Sequence, residues 1–260
     1  MTPAQPPESP SGLWLALEGP RAFWEMREFV AAGPALRLAP RGDGRPVLLL
    51  PGFLSDDDAT AALRQYLCHL GHSAHPWHLG TNLGPTEAIM DGLERRIDEL
   101  TSASGRPVSL VGVSLGGLFA RHLARHKPES VRQVITLGSP FRIVSKTQSH
   151  VAEAYDALSH LHVEPARFSV WGGARQPLPV RSTAIYTRTD GVVDWQACVD
   201  ESSCVAENIE VVGSHCGLAH LPSAVYAVAD RLAQHGDSWQ RFVPPLLLRH
   251  LYPAHGSAAG

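Results

Sequence analysis

A serine at position 114 stands in the sequence Gly112-Val113-Ser114-Leu115-Gly116, between an apolar segment and an amphipathic one. This arrangement predicts a strand that turns sharply into a helix, with the serine at the turn. The two glycines leave room for the turn, because side chains there would meet the neighbouring strand and helix. The helix that follows would direct free amides and its positive dipole end at an oxyanion. Ser114 is therefore predicted to be a nucleophile.

A serine hydroxyl needs a base to take its proton, and a histidine base needs a carboxylate that orients it. Two segments downstream offer these groups: "YTRTDGVVDW" contains Asp190, and "VVGSHCGLAH" contains His215. Each residue lies in a turn that follows a predicted strand. Because the carboxyl ends of parallel strands meet at one edge of a sheet, Asp190 and His215 are predicted to lie near Ser114.

Other residues in the same two turns are alternatives. Asp194 lies shortly after Asp190 and could also orient the base, but it follows the point where the chain turns back. His220 could replace His215 as the base, although its position favours the start of the last helix. Cys216 adjoins the predicted base and is interpreted as a packing residue, because no second dyad with a histidine accompanies it.

Strand and helix patterns alternate along the chain, which predicts an α/β domain. The predicted strands are VLLLPGF, HSAHPWHL, PVSLVGV, VRQVITLGSP, STAIYTRTD and NIEVVGSH. Helical patterns between them indicate a mostly parallel central sheet flanked by helices. We assign this domain to residues 41–240, with a short cap insertion at about 141–180. An N-terminal arm and helical extension covers 1–40, and a C-terminal tail covers 241–260.

The two terminal segments carry apolar residues of their own. Residues 13–38 have apolar positions at helical spacing, broken at Gly19-Pro20 and closed at Gly33-Pro34, which predicts helical segments packed on the outside of the domain. These apolar positions are Leu13, Leu17, Phe23, Met26, Phe29 and Val30. "MTPAQPPESPSG" lacks the basic start and apolar stretch of a secretory signal and is interpreted as a short disordered arm. The tail "FVPPLLLRHLYP" is expected to pack on the domain, with a partner or a lipid surface as the alternative contact.

Composition excludes several classes of protein. A net charge of −3 and a pI near 6.5 provide no electrostatic footprint for nucleic acid, and no apolar run approaches the length of a membrane span. The four cysteines form no CxxC pair and are expected to be free thiols of a cytoplasmic protein, although Cys198 could pair with Cys204 or Cys216. The histidines of "HLGHSAHPWH" lack a catalytic zinc spacing, so no metal is predicted.

The chain resembles the α/β-hydrolase superfamily, and within it bacterial lipase-like serine esterases, over roughly residues 46–235. The motifs that carry the resemblance are "LLLPGFLSD", "GVSLGG", "LGSP", "TDGVVDW" and "GSHCGL". The resemblance implies the α/β-hydrolase fold, with Ser114 as nucleophile, Asp190 as acid and His215 as base. "PGF" stands where many members of the superfamily have His-Gly, which leaves open which residue shapes the oxyanion loop.

The predicted function is the hydrolysis of carboxylic esters through an acyl-enzyme, without a cofactor. Backbone amides of Phe53 and Leu115 are predicted to hold the oxyanion. The alternatives are an acyltransferase or thioesterase with the same triad, and a non-catalytic binding protein of the same fold. The expected substrate is a small hydrophobic ester. Neither a nucleic-acid partner nor a stable membrane span is expected, and the oligomeric state is not predicted.

Four further residues are candidates for the substrate pocket. Trp77 and Asn82 follow a predicted strand at the catalytic edge, where they either pack a loop or form the wall of an acyl or alcohol pocket. Leu158 and Leu161 belong to the cap insertion, whose apolar stretch favours acyl chains or other hydrophobic esters. The glycine-rich loop "WGGARQPLP" would give this insertion the freedom of a moving flap, and a rigid cover is the alternative.

Overall fold

A central sheet of parallel strands organises the chain, whose computed structural model describes residues 9–170, 177–200, 206–234 and 239–253. The six strands of this sheet follow the order β2-β1-β3-β4-β5-β6. They are β1 Pro46–Leu50, β2 Ser73–His75, β3 Val108–Val113, β4 Val131–Leu137, β5 Arg181–Thr187 and β6 Ala206–Val211. Every neighbouring pair is parallel, so the predicted α/β architecture is confirmed.

Helices cover both faces of the sheet. They are α1 Gly12–Ala31, α2 Gly33–Leu36, α3 Ala61–His69, α4 Glu87–Ser104, α5 Leu115–His126, α6 Ala152–Ala157 and α7 Pro222–Ala233. Val47 and Leu49 of β1 face the core layer that α3 and α7 complete, and Leu48 and Leu50 face the layer of α4 and α5. Because both faces of β1 are buried, its residues are apolar throughout rather than alternating, whereas β5 and β6 also carry polar residues.

The carboxyl ends of β1 and β3 lie side by side, since Leu50 of β1 pairs in register with Gly112 of β3. The chain leaves β1 toward β2 and leaves β3 toward β4, which lie on opposite sides of this pair. Open α/β sheets bind their ligands at such a point, outside the carboxyl ends of the strands. The loops that carry Phe53 and Ser114 begin there.

Helix α1 differs from its prediction in two ways. It continues through Pro20, where the sequence predicts a break. A proline inside a helix costs about 3 kcal/mol, and side-chain contacts of Glu18 and Arg21, on both sides of Pro20, hold the helix in place. Its buried residues are Glu18 and Glu25, whereas of the predicted apolar positions only Phe29 is half-buried and Leu13, Leu17, Phe23, Met26 and Val30 are exposed. The helix therefore turns a charged face toward the domain.

The cap between β4 and β5 contains α6 and two 3₁₀ turns, Lys146–Gln148 and Ser159–Leu161. Its described part is anchored at both ends. Near its start, Gln148 Nε2 donates to Asp194 Oδ2 at 2.8 Å, and after α6 the Val163 amide donates to the Pro85 carbonyl at 2.8 Å. The glycines of the predicted flap lie outside the described residues, so a moving flap stays a prediction.

The C-terminal tail packs on the domain. Leu248 is buried, and the Tyr252 hydroxyl donates to the Ser223 carbonyl at 2.8 Å. Within the ranges given above, no helix combines the length and apolarity that crossing a membrane requires. The same ranges contain no group of three or more His, Cys, Asp or Glu side chains that could hold a metal ion. Cys198 and Cys216 are free thiols, as is Cys68, and Cys204 lies outside the described residues.

Candidate active site

Ser114 lies at the turn between β3 and α5 with φ 50° and ψ −121°. A positive φ is unusual for a residue with a side chain and costs on the order of 1–3 kcal/mol, and such strain recurs at active sites. The turn is also tight. A Cβ atom on Gly112 would clash with the backbone of Gly116, and one on Gly116 would clash with the Leu50 carbonyl. Both glycines are thus required for the position of Ser114.

The predicted acid and base are in direct contact. His215 Nδ1 lies 2.7 Å from Asp190 Oδ2, and both side chains are buried. The other carboxylate oxygen of Asp190 accepts the amides of Val192 and Val193, each at 2.8 Å. These bonds fix the carboxylate and keep a proton on Nδ1 of His215. Nε2 of the ring is then left to take a proton from another group.

The charges around His215 change its basicity. Burial by itself lowers the pKa of His215, but the charge of Asp190, the hydrogen bond to it and the charge of Glu18 outweigh burial. The pKa of His215 is therefore raised above its ordinary value. A base must be neutral to accept a proton, so the imidazole becomes competent only as pH rises through this raised pKa.

Asp194 and His220 have other hydrogen-bond partners, and Cys216 is held in its thiol form. Asp194 accepts the Gln148 bond of the cap, and its side chain has no bond to a histidine among the described residues. His220 Nε2 lies 2.9 Å from the Ala22 carbonyl of α1. Cys216 is exposed, so its interpretation as a packing residue is wrong. Desolvation and neighbouring carboxylates raise the pKa of its thiol to about 12, which disfavours the thiolate form that a nucleophile needs. None of the three is placed for the role considered.

Ser114 and His215 approach the end of β4 from two sides. The Ser114 amide donates to the Leu137 carbonyl at 2.8 Å, and a Cβ atom on Gly138 would lie 3.1 Å from His215 Nδ1. Within the described ranges, no hydrogen bond joins the Ser114 hydroxyl to His215. Bonds between a nucleophile and its base are often long before substrate binds and tighten in the complex.

Two backbone amides next to Ser114 are free to bind an oxyanion. The loop after β1 lies against the serine, since a Cβ atom on Gly52 would be 3.3 Å from Ser114 Cβ. In the described part of the chain, neither the Phe53 amide nor the Leu115 amide donates a hydrogen bond. Leu115 is the first residue of α5, where the helix dipole adds to the attraction for an anion.

Two of the predicted pocket residues have other positions. Asn82 is fully buried. Its side-chain Nδ2 donates to the Pro51 carbonyl at 2.9 Å, and its backbone carbonyl accepts the Leu54 amide at 2.8 Å. Asn82 thus fixes the loop that carries Phe53. Trp77 is also fully buried, with Nε1 donating to the Gly80 carbonyl at 3.0 Å, because it packs in the core beside α4.

A cavity of about 50 Å³ opens beside Ser114. Its lining includes the apolar residues Phe53, Leu118, Ile143, Val151, Ala152 and Tyr155. The predicted pocket residues Leu158 and Leu161 are not in this lining, and Leu161 is 42% exposed. The cap does face the site, but through Ile143, the first turn of α6 and Val170 rather than through Leu158 and Leu161.

Glu18 is absent from the residues predicted from sequence, yet it contacts both turns. Its carboxylate accepts three backbone amides: Gly191 at 2.9 Å, His215 at 3.1 Å and Cys216 at 2.9 Å. The carboxylate lies 197 positions before His215 in the sequence, and no local pattern of residue types indicates such a contact.

The chain shares its fold with solved structures, although no protein-family model and no curated protein matches it. Lipase B of Aspergillus fumigatus superposes with a TM-score of 0.57 at 17% identity, over 74% of this chain and 53% of that one. This chain thus spans about half the length of that lipase. A monoacylglycerol lipase of Paleococcus ferrophilus superposes at 0.52 and 16% identity, over 73% and 96%. A thioesterase domain from the curacin biosynthetic pathway superposes at 0.51 and 17% identity, over 75% and 93%.

Proposed function

Since the chain has the α/β-hydrolase fold, we propose that it is a serine hydrolase that cleaves carboxylic esters through an acyl-enzyme. The proposal rests on one observation above all. The buried pair of Asp190 and His215, joined at 2.7 Å, lies at the same edge of the sheet as the strained turn of Ser114. One fold hosts many functions, so this geometry carries the proposal rather than the likeness to lipases.

In the first half of the reaction, Ser114 becomes acylated. His215 Nε2 takes the proton of the Ser114 hydroxyl as Oγ attacks the ester carbonyl carbon, and Asp190 stabilises the imidazolium that forms. The amides of Phe53 and Leu115 bind the oxyanion of the tetrahedral intermediate, each contributing about 3 kcal/mol. The intermediate then collapses, the bond to the alcohol oxygen breaks, and His215 donates its proton to the leaving alcohol.

Water completes the second half of the reaction at the same groups. His215 takes a proton from water as the water oxygen attacks the acyl carbonyl, and the same two amides bind the second oxyanion. When this intermediate collapses, the bond to Ser114 Oγ breaks and His215 returns the proton to the serine. The carboxylic acid leaves, and the enzyme is restored.

The small apolar cavity supports a hydrophobic ester with a short acyl chain as the substrate class. A thioesterase is the second candidate, favoured by the likeness to the thioesterase domain, because a thioester would be attacked by the same steps. Comparing kcat/KM for an oxygen ester and a thioester of the same acyl chain separates the two. If an added alcohol takes the acyl group and a new ester forms in place of the carboxylic acid, the protein is an acyltransferase.

The nucleophile provides the direct test. Ser114→Ala removes the attacking oxygen, so it should abolish both labelling by a fluorophosphonate probe and hydrolysis of p-nitrophenyl acetate. Ser159→Ala, which changes an exposed serine of the cap, should leave both unchanged. Thermal unfolding of both variants shows that the fold persists. Labelling of a folded Ser114→Ala protein, or an unlabelled wild-type protein, would refute the proposal.

A further inference from the structure

Helix α1 binds the turn that carries the acid as well as the turn that carries the base. The guanidinium of Arg21 donates to the carbonyl and to the hydroxyl of Thr189, each at 2.8 Å. Thr189 directly precedes Asp190 in the turn after β5. The amide of Gly191, on the other side of Asp190, donates to Glu18. The acid turn is thus held by α1 on both sides of its carboxylate.

The base turn is built around a second carboxylate of the same helix. Glu25 accepts the Ser214 amide at 2.7 Å and the Ser214 hydroxyl as well. The Ser214 hydroxyl in turn accepts the Gly217 amide at 3.0 Å. A Cβ atom at Gly217 would overlap the Glu25 carboxylate, so a larger residue there would displace that side chain. The turn around His215 is therefore shaped against α1.

Among the described side chains of α1, Glu18 bonds to both turns, which also contact each other where the Thr189 hydroxyl donates to the Gly213 carbonyl at 3.0 Å. One of its oxygens accepts both the Gly191 amide of the acid turn and the His215 amide of the base turn. The side chain is only 5% exposed, so these charge-assisted bonds are little screened by solvent. A buried carboxylate thus joins the two turns beside the Asp190–His215 pair.

We infer that Glu18 is a positioning residue of the proposed hydrolase, which holds the acid and base turns together and whose charge supports the imidazolium of His215. This inference rests on the proposed function. Glu18 touches neither Ser114 nor the cavity beside it in the described residues, so it acts through the two turns.

The sign of the electrostatic effect follows from the charges around the ring. The charges that act on His215 are those of Asp190 and Glu18. Cys216 adjoins His215 in the chain, and Glu25 and Arg21 of α1 bond to Ser214 of the base turn and to Thr189 of the acid turn. Arg21 offsets part of the negative charge, since its guanidinium lies 4.0 Å from the Glu18 carboxylate. Removing the charge of Glu18 lowers the pKa of His215. The rise of kcat/KM on the acid side of its pH profile then moves to lower pH. A purely structural role would reduce activity without moving that limb.

The test compares Glu18→Gln with Glu28→Gln, which removes an exposed carboxylate from the outer face of the same helix. The pH profile of kcat/KM with p-nitrophenyl acetate is measured for both and for the wild type. Glu18→Gln should lower the midpoint of the acid limb and reduce kcat on the order of tenfold to hundredfold, with KM little changed. Glu28→Gln should match the wild type in midpoint, kcat and KM.

A conservative variant separates the effect of the Glu18 charge from the effect of its side-chain length. Glu18→Asp keeps the charge but is too short to reach all three amides, so kcat should fall while the midpoint stays near the wild-type value. This variant also carries the test if Glu18→Gln does not fold. An unmoved midpoint in folded Glu18→Gln, an equal shift in Glu28→Gln, or wild-type kcat in Glu18→Asp would overturn the inference.

A second measurement does not depend on catalysis. The His215 ring is titrated by ¹⁵N NMR in the wild type, Glu18→Gln and Glu28→Gln, and only Glu18→Gln should show a lowered pKa. If the wild type hydrolyses no ester but this shift is observed, the proposed function fails and the electrostatic part of the inference stands. If esters are hydrolysed and the ring titrates identically in all three proteins, the inference about Glu18 fails alone.

Discussion

Two aspartates and two histidines occupy the turns after β5 and β6, and their hydrogen-bond partners separate them. Asp190 and His215 bind each other, whereas Asp194 binds the cap and His220 binds α1. The sequence predicts that such groups lie at this edge, because the turns follow predicted strands. It leaves the choice between neighbours open, since residues a few positions apart differ in partners and not in pattern.

The two pairs should respond very differently to substitution. Asp190→Asn leaves His215 without a carboxylate and His215→Ala removes the proposed base, so each should lower kcat for p-nitrophenyl acetate by about 10⁴-fold. Asp194→Asn and His220→Ala should lower kcat less than about tenfold, because they break contacts to the cap and to α1 rather than the pair. Thermal unfolding is measured alongside kcat. Large losses of kcat in folded Asp194→Asn or His220→Ala would transfer the role to that residue.

Among the elements, the strands follow most directly from the sequence. A strand covered on both faces, such as β1, is near-continuously apolar, and this leaves runs such as "VLLLPGF" that are typical of buried parallel strands. The cap is different. Helix α6 has six residues and is partly buried, so the sequence does not show which of its apolar residues face the site. The cavity is lined by Val151 and Tyr155 of this segment, whereas the sequence suggested Leu158 and Leu161.

Enlarging the cavity should change the preferred acyl chain. Ile143 is 2% exposed and lines the cavity, so Ile143→Ala should raise kcat/KM for hexanoyl and octanoyl p-nitrophenyl esters relative to the acetyl ester. The substitution should also cost about 2–5 kcal/mol of stability. Leu161→Ala, outside the cavity in the same cap, should keep the wild-type profile of chain lengths. An unchanged profile in folded Ile143→Ala would mean that the acyl chain binds elsewhere.

Helix α1 shows where local patterns fail. Its sequence indicates a break at Gly19-Pro20 and an apolar inner face, yet the helix is continuous and its inner face carries Glu18 and Glu25. These carboxylates are stable in the interior because each accepts backbone amides from turns after β5 or β6. Such partners lie far away in the sequence and become visible only once the sheet has brought the turns together.

At the scale of the whole molecule, α1 and the turns after β5 and β6 meet at one edge of the sheet. The sheet, its two covering layers and the edge where Ser114, Asp190 and His215 lie are predictable, because buried strands and turn residues leave local signals. The hydrogen bonds between α1 and the turns after β5 and β6 are not predictable from sequence, because they join residues up to 198 positions apart. Local sequence patterns thus predict most of the fold, but they do not predict how the turns after β5 and β6 are aligned.

During synthesis, α1 leaves the ribosome well before the partners of Glu18 and Glu25 in the base turn, which follow nearly two hundred residues later. Contacts of such high sequence separation form late, since the intervening chain must be ordered before they become favourable. The proposed site should therefore be the last part of the molecule to assemble. In refolding from urea, far-ultraviolet circular dichroism should recover before reactivity of Ser114 toward a fluorophosphonate does. Equal rate constants for the two signals would show instead that the helix docks together with the sheet.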